Sequence, residues 1–221
     1  MIPNSQKINI TITPETDKMI VFESVYLKQK NKDIFLNFNL VVQKNEKILI
    51  QGKSGIGKTT LFKLVLGFEK MDQGSVTFNG YPIDKVHIKE IREQVFYLSQ
   101  DIDLKKDKVG LLLDEILTCN PKRTIKDSSL TNLMSFLDLN PEILEQNVKA
   151  LSGGERQRVG LLICFLLDRP VWLLDEPTSA LDDAMKKKIA AYVLDQDKTI
   201  IIISHDDVWK KNGPIKIERW L

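Results

Sequence analysis

Gly52-Lys53-Ser54-Gly55-Ile56-Gly57-Lys58-Thr59 is the stretch that decides the fold. Glycine, four residues, then Gly-Lys and a hydroxyl residue is the phosphate-loop (Walker A) pattern. By chance it arises in on the order of one such chain in a hundred, and its flanks narrow that further. A β-branched run at 47–51 leads in, and a helical pattern at 59–66 leads out and stops at Gly67. A chain that leaves a strand and enters a helix over so few residues turns successive backbone N–H groups toward one point, where the helix N-terminus adds its positive end. The glycines permit positive φ and close backbone approach. Lys58 is expected to neutralise β- and γ-phosphates, and the Thr59 hydroxyl to hold magnesium.

Upstream of the loop, runs at 19–26, 34–42 and 47–51 alternate with polar turns and predict hairpin-like strands. Downstream, 75–78 predicts a strand closed by Asn79-Gly80, and 95–99 another. Residues from about 107 to 167 are mainly helical by pattern, with Asn140-Pro141 opening one helix. The runs at 171–174 and 199–203 are unbroken and apolar, as expected of central parallel strands covered on both faces, and a helix from about Ala180 lies between them. No repeat or linker divides the chain, so the expected architecture is one α/β domain over 19–221 with an inserted helical subdomain at about 101–165. Residues 1–18 are polar and read as an N-terminal extension.

The strand at 171–174 ends in Asp175-Glu176. An acid at the carboxyl end of a parallel strand faces the ligand crevice. Adjacent side chains on a strand point to opposite faces, which predicts different tasks for these two. Asp175 is assigned to magnesium through water, and Glu176 to polarising the attacking water.

Composition sets the outer bounds. In 221 residues the formal net charge is +2 with acids and bases interspersed, so no basic face of the kind a nucleic-acid binder carries is present and no direct nucleic-acid partner is expected. Lys186, Lys187 and Lys188 read as a solvated helix face. Cys119 and Cys164 lack any metal or redox spacing and read as reduced core or near-core thiols of a cytosolic protein. The longest apolar run, 159–167, is far shorter than the roughly 20 residues that span a bilayer, and the N-terminus has no signal-peptide pattern. A role at a membrane would require another anchor.

Further motifs carry a family resemblance. Leu151-Ser152-Gly153-Gly154-Glu155-Arg156-Gln157 resembles the signature sequence of the ABC (ATP-binding cassette) ATPases. The stretch Asp175-Glu176-Pro177-Thr178-Ser179-Ala180-Leu181-Asp182 resembles the Walker B end joined to the D-loop. Ile203-Ser204-His205-Asp206 is similar to the switch-histidine segment, and Tyr97-Leu98-Ser99-Gln100 to the Q-loop. Together with the phosphate loop these five motifs run in family order over 19–206. The resemblance implies a P-loop NTPase core, a RecA-like parallel sheet, with an N-terminal antiparallel β lobe. It further implies ATP and Mg²⁺ as cofactors, with Gly52, Lys53, Ser54, Gly55, Ile56, Gly57, Lys58, Thr59 and Thr60 on the nucleotide. Thr59, Gln100 and Asp175 would lie at the metal, and Glu176, His205 and Gln100 at the hydrolytic water.

Ser152 is by type a good N-cap, and Gly153-Gly154 expose backbone N–H groups at a helix start, making a second anion site. In the family the two sites lie too far apart to hold one nucleotide. The resemblance therefore implies head-to-tail pairing with a second copy or a paralogous subunit. Ser152, Gly153, Gly154 and Glu155 would then face the partner's ATP, and Ser179 and Asp182 would lie at the dimer contact. A separate transmembrane permease is the implied partner, with the chain in the cytoplasm on the inner face of the membrane. A soluble ABC ATPase acting on nucleic acid or ribosomes is the alternative, and the single cassette without a long insert weighs against it. The short stretch after His205 leaves no room for a regulatory domain. Two positions depart from the family pattern. Gln29 stands where an aromatic ring usually stacks on adenine, leaving Tyr26 or Phe35 as substitutes. Asn45 stands at a turn that usually holds glycine, and asparagine tolerates the left-handed region.

Overall fold

A computed structural model describes residues 17–101, 107–120 and 127–220. All but the last two residues of the expected N-terminal extension lie outside them. The chain begins with a long antiparallel hairpin, β1 (Lys18–Gln29) and β2 (Lys32–Gln43). Asn45 turns the chain at φ 62° into β3 (Lys47–Gly52), and its N–H donates to Thr199 Oγ1 at 2.8 Å. The asparagine thus does at this turn what its tolerance of the left-handed region predicts. The phosphate loop leads into α1 (Lys58–Val65). There follow β4 (Gln73–Phe78), β5 (Tyr81–Pro82), α2 (Ile88–Gln94) and β6 (Val95–Leu98). The helical portion comprises α3 (Val109–Thr118), α4 (Asp127–Phe136), two 3₁₀ turns (Pro141–Glu145 and Val148–Ala150) and α5 (Gly153–Leu167). The chain then closes through β7 (Val171–Asp175), α6 (Asp183–Asp195), β8 (Thr199–Ile203), α7 (Val208–Lys211) and β9 (Lys216–Trp220).

Two sheets result. One is antiparallel, in the order β2-β1-β4-β5, and the other is parallel, in the order β6-β7-β8-β3-β9. This is the expected P-loop NTPase core with its antiparallel lobe. The unbroken apolar runs are explained by which faces they bury. On β8, Ile201 and Ile203 join Leu61, Phe62 and Val65 of α1 and, beyond it, Ile20, Phe22 and Phe78 of the antiparallel sheet. Ile200 and Ile202 point the other way, into a core shared with α5, α6 and Trp172 of β7. Period-2 alternation therefore sends successive isoleucines into two different cores, and neither set can be polar. Helix α1 lies between the two sheets, so the residues that follow the phosphate loop are pinned from both sides.

The helical portion shares one core with the parallel sheet. Val109, Leu112, Leu113, Met134, Leu137 and Val148 belong to the same cluster as Leu174 and Ile202.

Several expectations are corrected. Asn140-Pro141 opens a 3₁₀ turn, with the Asn140 side chain accepting from Glu142 N–H at 3.0 Å, and not an α-helix. The helix expected from about Ala180 begins at Asp183, because Asp182 caps it by accepting from Met185 N–H at 2.9 Å. Cys164 is buried, whereas Cys119 is exposed just beyond α3. Of the three lysines at 186–188, Lys187 is exposed, Lys186 pairs with Asp206 at 3.0 Å, and Lys188 pairs with Asp138 at 3.1 Å. Strand β9 has no counterpart in the sequence reading. It is an edge strand with exposed residues, which lacks the apolar run that marks β7 and β8.

Truncating Ile201 to alanine removes a fully buried side chain from the centre of the parallel sheet. It is expected to cost about 2–5 kcal/mol by urea unfolding, whereas Val86→Ser, at a 78% exposed position, is expected to stay within about 0.5 kcal/mol.

Candidate functional site

Parallel pairing puts the carboxyl ends of four neighbouring strands on one edge. Register aligns Ile50 with Ile203, Ile203 with Asp175, and Leu174 with Leu98. Whatever follows those positions must converge there: the phosphate loop after β3, Gln100 after β6, Glu176 after β7 and His205 after β8. A cavity of about 420 Å³ is lined by Ser54, Gly55, Gly57, Lys58, Thr59, Thr60, Gln100, Asp175, Glu176 and His205, with Gln29, Ile34 and Ile203 completing its wall.

Two glycines of the loop are required by their surroundings. Gly57 caps α1 at φ 102°, and a Cβ there would lie 2.5 Å from Ile34 Cγ2. At Gly52 a Cβ would meet the Trp220 carbonyl at 2.6 Å, so β9 presses directly on the base of the loop. Lys58 is buried and donates to the carbonyls of Gly52 at 2.5 Å and Lys53 at 2.8 Å, which arches the loop around its own ammonium. Burial lowers the Lys58 pKa, against the raising pull of Glu176 and Asp175. Ile56 packs on Gly52 and does not line the cavity.

Thr59 Oγ donates to Asp175 Oδ2 at 2.6 Å. Asp175 is almost fully buried, and desolvation raises its pKa while the Thr59 hydrogen bond and Lys58 oppose the rise. A hydroxyl and a carboxylate meeting at one point, with the Gln100 amide on the same wall, form a set of hard oxygen donors. Such a set suits Mg²⁺, which takes one or two protein oxygens and fills its remaining positions from phosphates and water. Among the described residues no cluster of three His, Cys, Asp or Glu could hold a metal by itself.

Glu176 departs from the alternation argument. It lies past the end of β7 at φ 49°, its N–H donating to the Ile203 carbonyl at 2.8 Å, so that both acids line the same cavity. The left-handed turn, not the pleat, sets their different positions on its wall. Glu176 accepts from Ser204 Oγ at 3.1 Å, and its other carboxylate oxygen lies 3.9 Å from His205 Nε2. Its pKa is raised, chiefly by burial, with the Ser204 hydrogen bond and His205 acting in the opposite direction. The His205 side chain is 61% exposed and free to turn toward a ligand.

The residues of the signature stretch lie elsewhere. Ser152 caps α5, and Glu155 closes a capping box: Glu155 N–H donates to Ser152 Oγ at 3.3 Å, and Ser152 N–H donates to Glu155 Oε2 at 2.8 Å. Gly153 lines a second hollow, of about 310 Å³, with Gln100, Asp101, Arg156, Gln157, Ser179 and Ala180. At Gly154 a Cβ would approach the Ala180 carbonyl at 3.0 Å. Ser179 N–H donates to the Glu176 carbonyl at 3.3 Å, so the D-loop turn starts from the glutamate itself. Gln100 lines both hollows.

Sequence reasoning passed over four supporting residues. Gln157 is buried on α5, and its Nε2 donates to the Glu176 carbonyl at 3.2 Å. Ser204 holds the Glu176 carboxylate. Asp206 accepts from Thr178 Oγ at 2.7 Å and from Lys186, tying the turn after β8 to the D-loop. Lys32, on the β1–β2 hairpin, donates to the Gly55 carbonyl at 2.8 Å. Gln157, Ser204 and Asp206 fall inside the motif stretches, where the sequence assigns them no role.

A phosphate loop opening a helix, with a buried aspartate across from its threonine, defines a P-loop nucleoside triphosphatase. Comparison with known proteins narrows the class. The family model described as ABC transporter matches residues 35–179. The thiamine import ATP-binding protein ThiQ of Histophilus somni is 35% identical over 185 residues, 78% of this chain and 82% of that protein. An ATP-dependent lipid A-core flippase of Methylobacillus flagellatus is 34% identical over 197 residues, covering 84% of this chain but only 34% of the flippase. Among solved structures, MJ0796, a bacterial ABC transporter cassette solved as a dimer, superposes with a TM-score of 0.78 over 91% of this chain and 94% of its own, at 22% identity. The chain belongs to the ABC transporter family, and what it carries is that family's ATP-hydrolysing cassette. It spans about a third of the length of several of the curated relatives it matches.

Gly57→Ala is expected to lose about 1–3 kcal/mol of stability by thermal or urea unfolding, because alanine at φ 102° is strained and its methyl strikes Ile34. Gly80→Ala, also at positive φ but with open space around it, is expected to cost less.

Proposed function

We propose that this chain is the ATPase of a membrane transporter, driving a separate transmembrane permease by pairing head-to-tail on ATP and parting after hydrolysis. The observation that carries the reading is the 2.6 Å contact between Thr59 and Asp175 inside the cavity that also takes in Lys58, Glu176 and His205. Lys58 lies against the β- and γ-phosphates, and backbone N–H groups of 52–60 and the α1 N-terminus hold the rest of the chain of phosphates. Thr59 and Asp175 take the magnesium side, with Gln100 beside them. Magnesium, when bound, would offset charge on the β- and γ-phosphate oxygens. Glu176, its pKa raised by burial and its carboxylate steered by Ser204, orients the attacking water and draws off its proton. His205, on the wall of the same cavity and 3.9 Å from Glu176, contacts the γ-phosphate.

The signature helix supports the paired state. Ser152, Gly153, Gly154 and Glu155 present the N-terminus of a 15-residue helix outside the cavity, where it can meet the nucleotide of a second subunit. Ser179, beside Gly153 in the second hollow, and Asp182, the cap of α6, are the proposed dimer contacts, and Gln100, on the wall of both hollows, links the site to the helical portion at about 101–165, the proposed docking face for the permease. The match to a thiamine import ATP-binding protein over most of that protein's length supports a separate permease. No helix among the described residues is long and apolar enough to cross a membrane, which agrees with attachment to the inner face through such a partner.

Glu176→Gln is expected to bind Mg-ATP, to lose 100-fold or more in turnover, and to run as a dimer on size-exclusion chromatography with Mg-ATP. A monomer under those conditions would remove the paired model. Lys58→Ala is expected to lose ATP binding in calorimetry, and an unchanged affinity would contradict the phosphate-loop assignment.

A further inference from the structure

The cavity takes two of its lining residues, Gln29 and Ile34, from the β1–β2 hairpin. That hairpin turns at Lys30 and Asn31, both at positive φ, and is fastened to the loop by the Lys32 to Gly55 hydrogen bond. Gln29 donates from Nε2 to Glu69 Oε2 at 2.5 Å, so one of its two amide hydrogens is committed to a carboxylate. Ile34 lies against Gly57. No aromatic ring lines the cavity.

The chain places its rings elsewhere. Its nine phenylalanines, four tyrosines and three tryptophans all fall within the described residues. Phe35 is 4% exposed, its ring 4.8 Å from Phe38 and 5.8 Å from Trp220. Tyr26 faces Gln73 across β1 and β4 and is absent from the cavity wall. Phe62 and Tyr97 pack on each other at 5.7 Å, with Phe62 fully buried. Phe35 is therefore held in the core, and neither it nor Tyr26 lines the cavity.

Stacking on an aromatic ring is worth roughly 5- to 150-fold in affinity per base, whereas the contacts to phosphate are common to every nucleoside triphosphate. We infer that this site reads the triphosphate and not the base: Gln29 and Ile34 stand where a stacking platform would be, so purine and pyrimidine triphosphates bind and are hydrolysed alike. The inference rests on the nucleotide site described above and assigns Gln29 as the residue that leaves base selectivity open.

The test is calorimetric binding of Mg-ATP, Mg-GTP, Mg-CTP and inorganic triphosphate to the full chain and to Gln29→Tyr, with circular dichroism melts as the folding check. The expected result is that the three nucleotides bind the unsubstituted chain within about threefold of one another, and that Gln29→Tyr tightens ATP and GTP by about 5-fold or more while leaving inorganic triphosphate unchanged. ATP binding tenfold or more tighter than CTP in the unsubstituted chain overturns the inference, as does a folded Gln29→Tyr with unaltered ATP affinity. If neither the nucleotides nor inorganic triphosphate bind, the nucleotide site itself is misassigned, a failure distinct from that of the base-reading inference.

Discussion

A parallel strand buried on both faces meets water only at its ends, and that constraint organises this molecule. β7 and β8 are covered on one side by α1 and on the other by α5 and α6. Every polar group attached to them is therefore driven to the strand ends. Asp175, Glu176, Ser204 and His205 are consecutive with the apolar runs that bury the sheet. Parallel pairing then puts their counterparts from β3 and β6 on the same edge. The site is a consequence of how the core is packed.

Within that frame the chemistry depends on a few backbone decisions. Positive φ at Gly57 turns the loop into α1, and positive φ at Glu176 swings the second acid away from the strand axis. Gln157 and Ser204 then hold Glu176 from opposite elements, the first by its carbonyl and the second by its carboxylate. The same glutamate carbonyl accepts from Ser179, so the residue proposed to handle water is joined to the turn proposed to touch a partner. Asp206, between Thr178 and Lys186, closes the circuit from the β8 end. A shift at the D-loop would reach the Glu176 carboxylate through two or three hydrogen bonds.

Much of this was legible in the chain. The phosphate loop, the acid pair and the histidine each follow an apolar run whose length and composition mark a central strand, so local pattern and site coincide. Less was legible where side chains compete for burial. Phe35 has the composition of a stacking residue, yet the proximity of Phe38 on its own strand and of Trp220 on β9 draws it into the core. Cys119 sits in apolar sequence but on the outer face just past α3. Asn140-Pro141 begins a helical turn as its composition suggests, and the turn stays 3₁₀.

The sequence by itself determined the α/β class, the two-face burial of β7 and β8, and the identity of Lys58 and Thr59 at a helix start and of Asp175 and Glu176 at a strand end, because these follow from periodicity and from residue chemistry within short windows. Tertiary structure alone decided that β9 lies beside β3 and presses on Gly52, that Glu176 is held by Gln157 and Ser204, and that neither Tyr26 nor Phe35 joins Gln29 on the cavity wall. Those outcomes depend on which distant segments pack together, a matter of shape and burial that no local window of the chain contains.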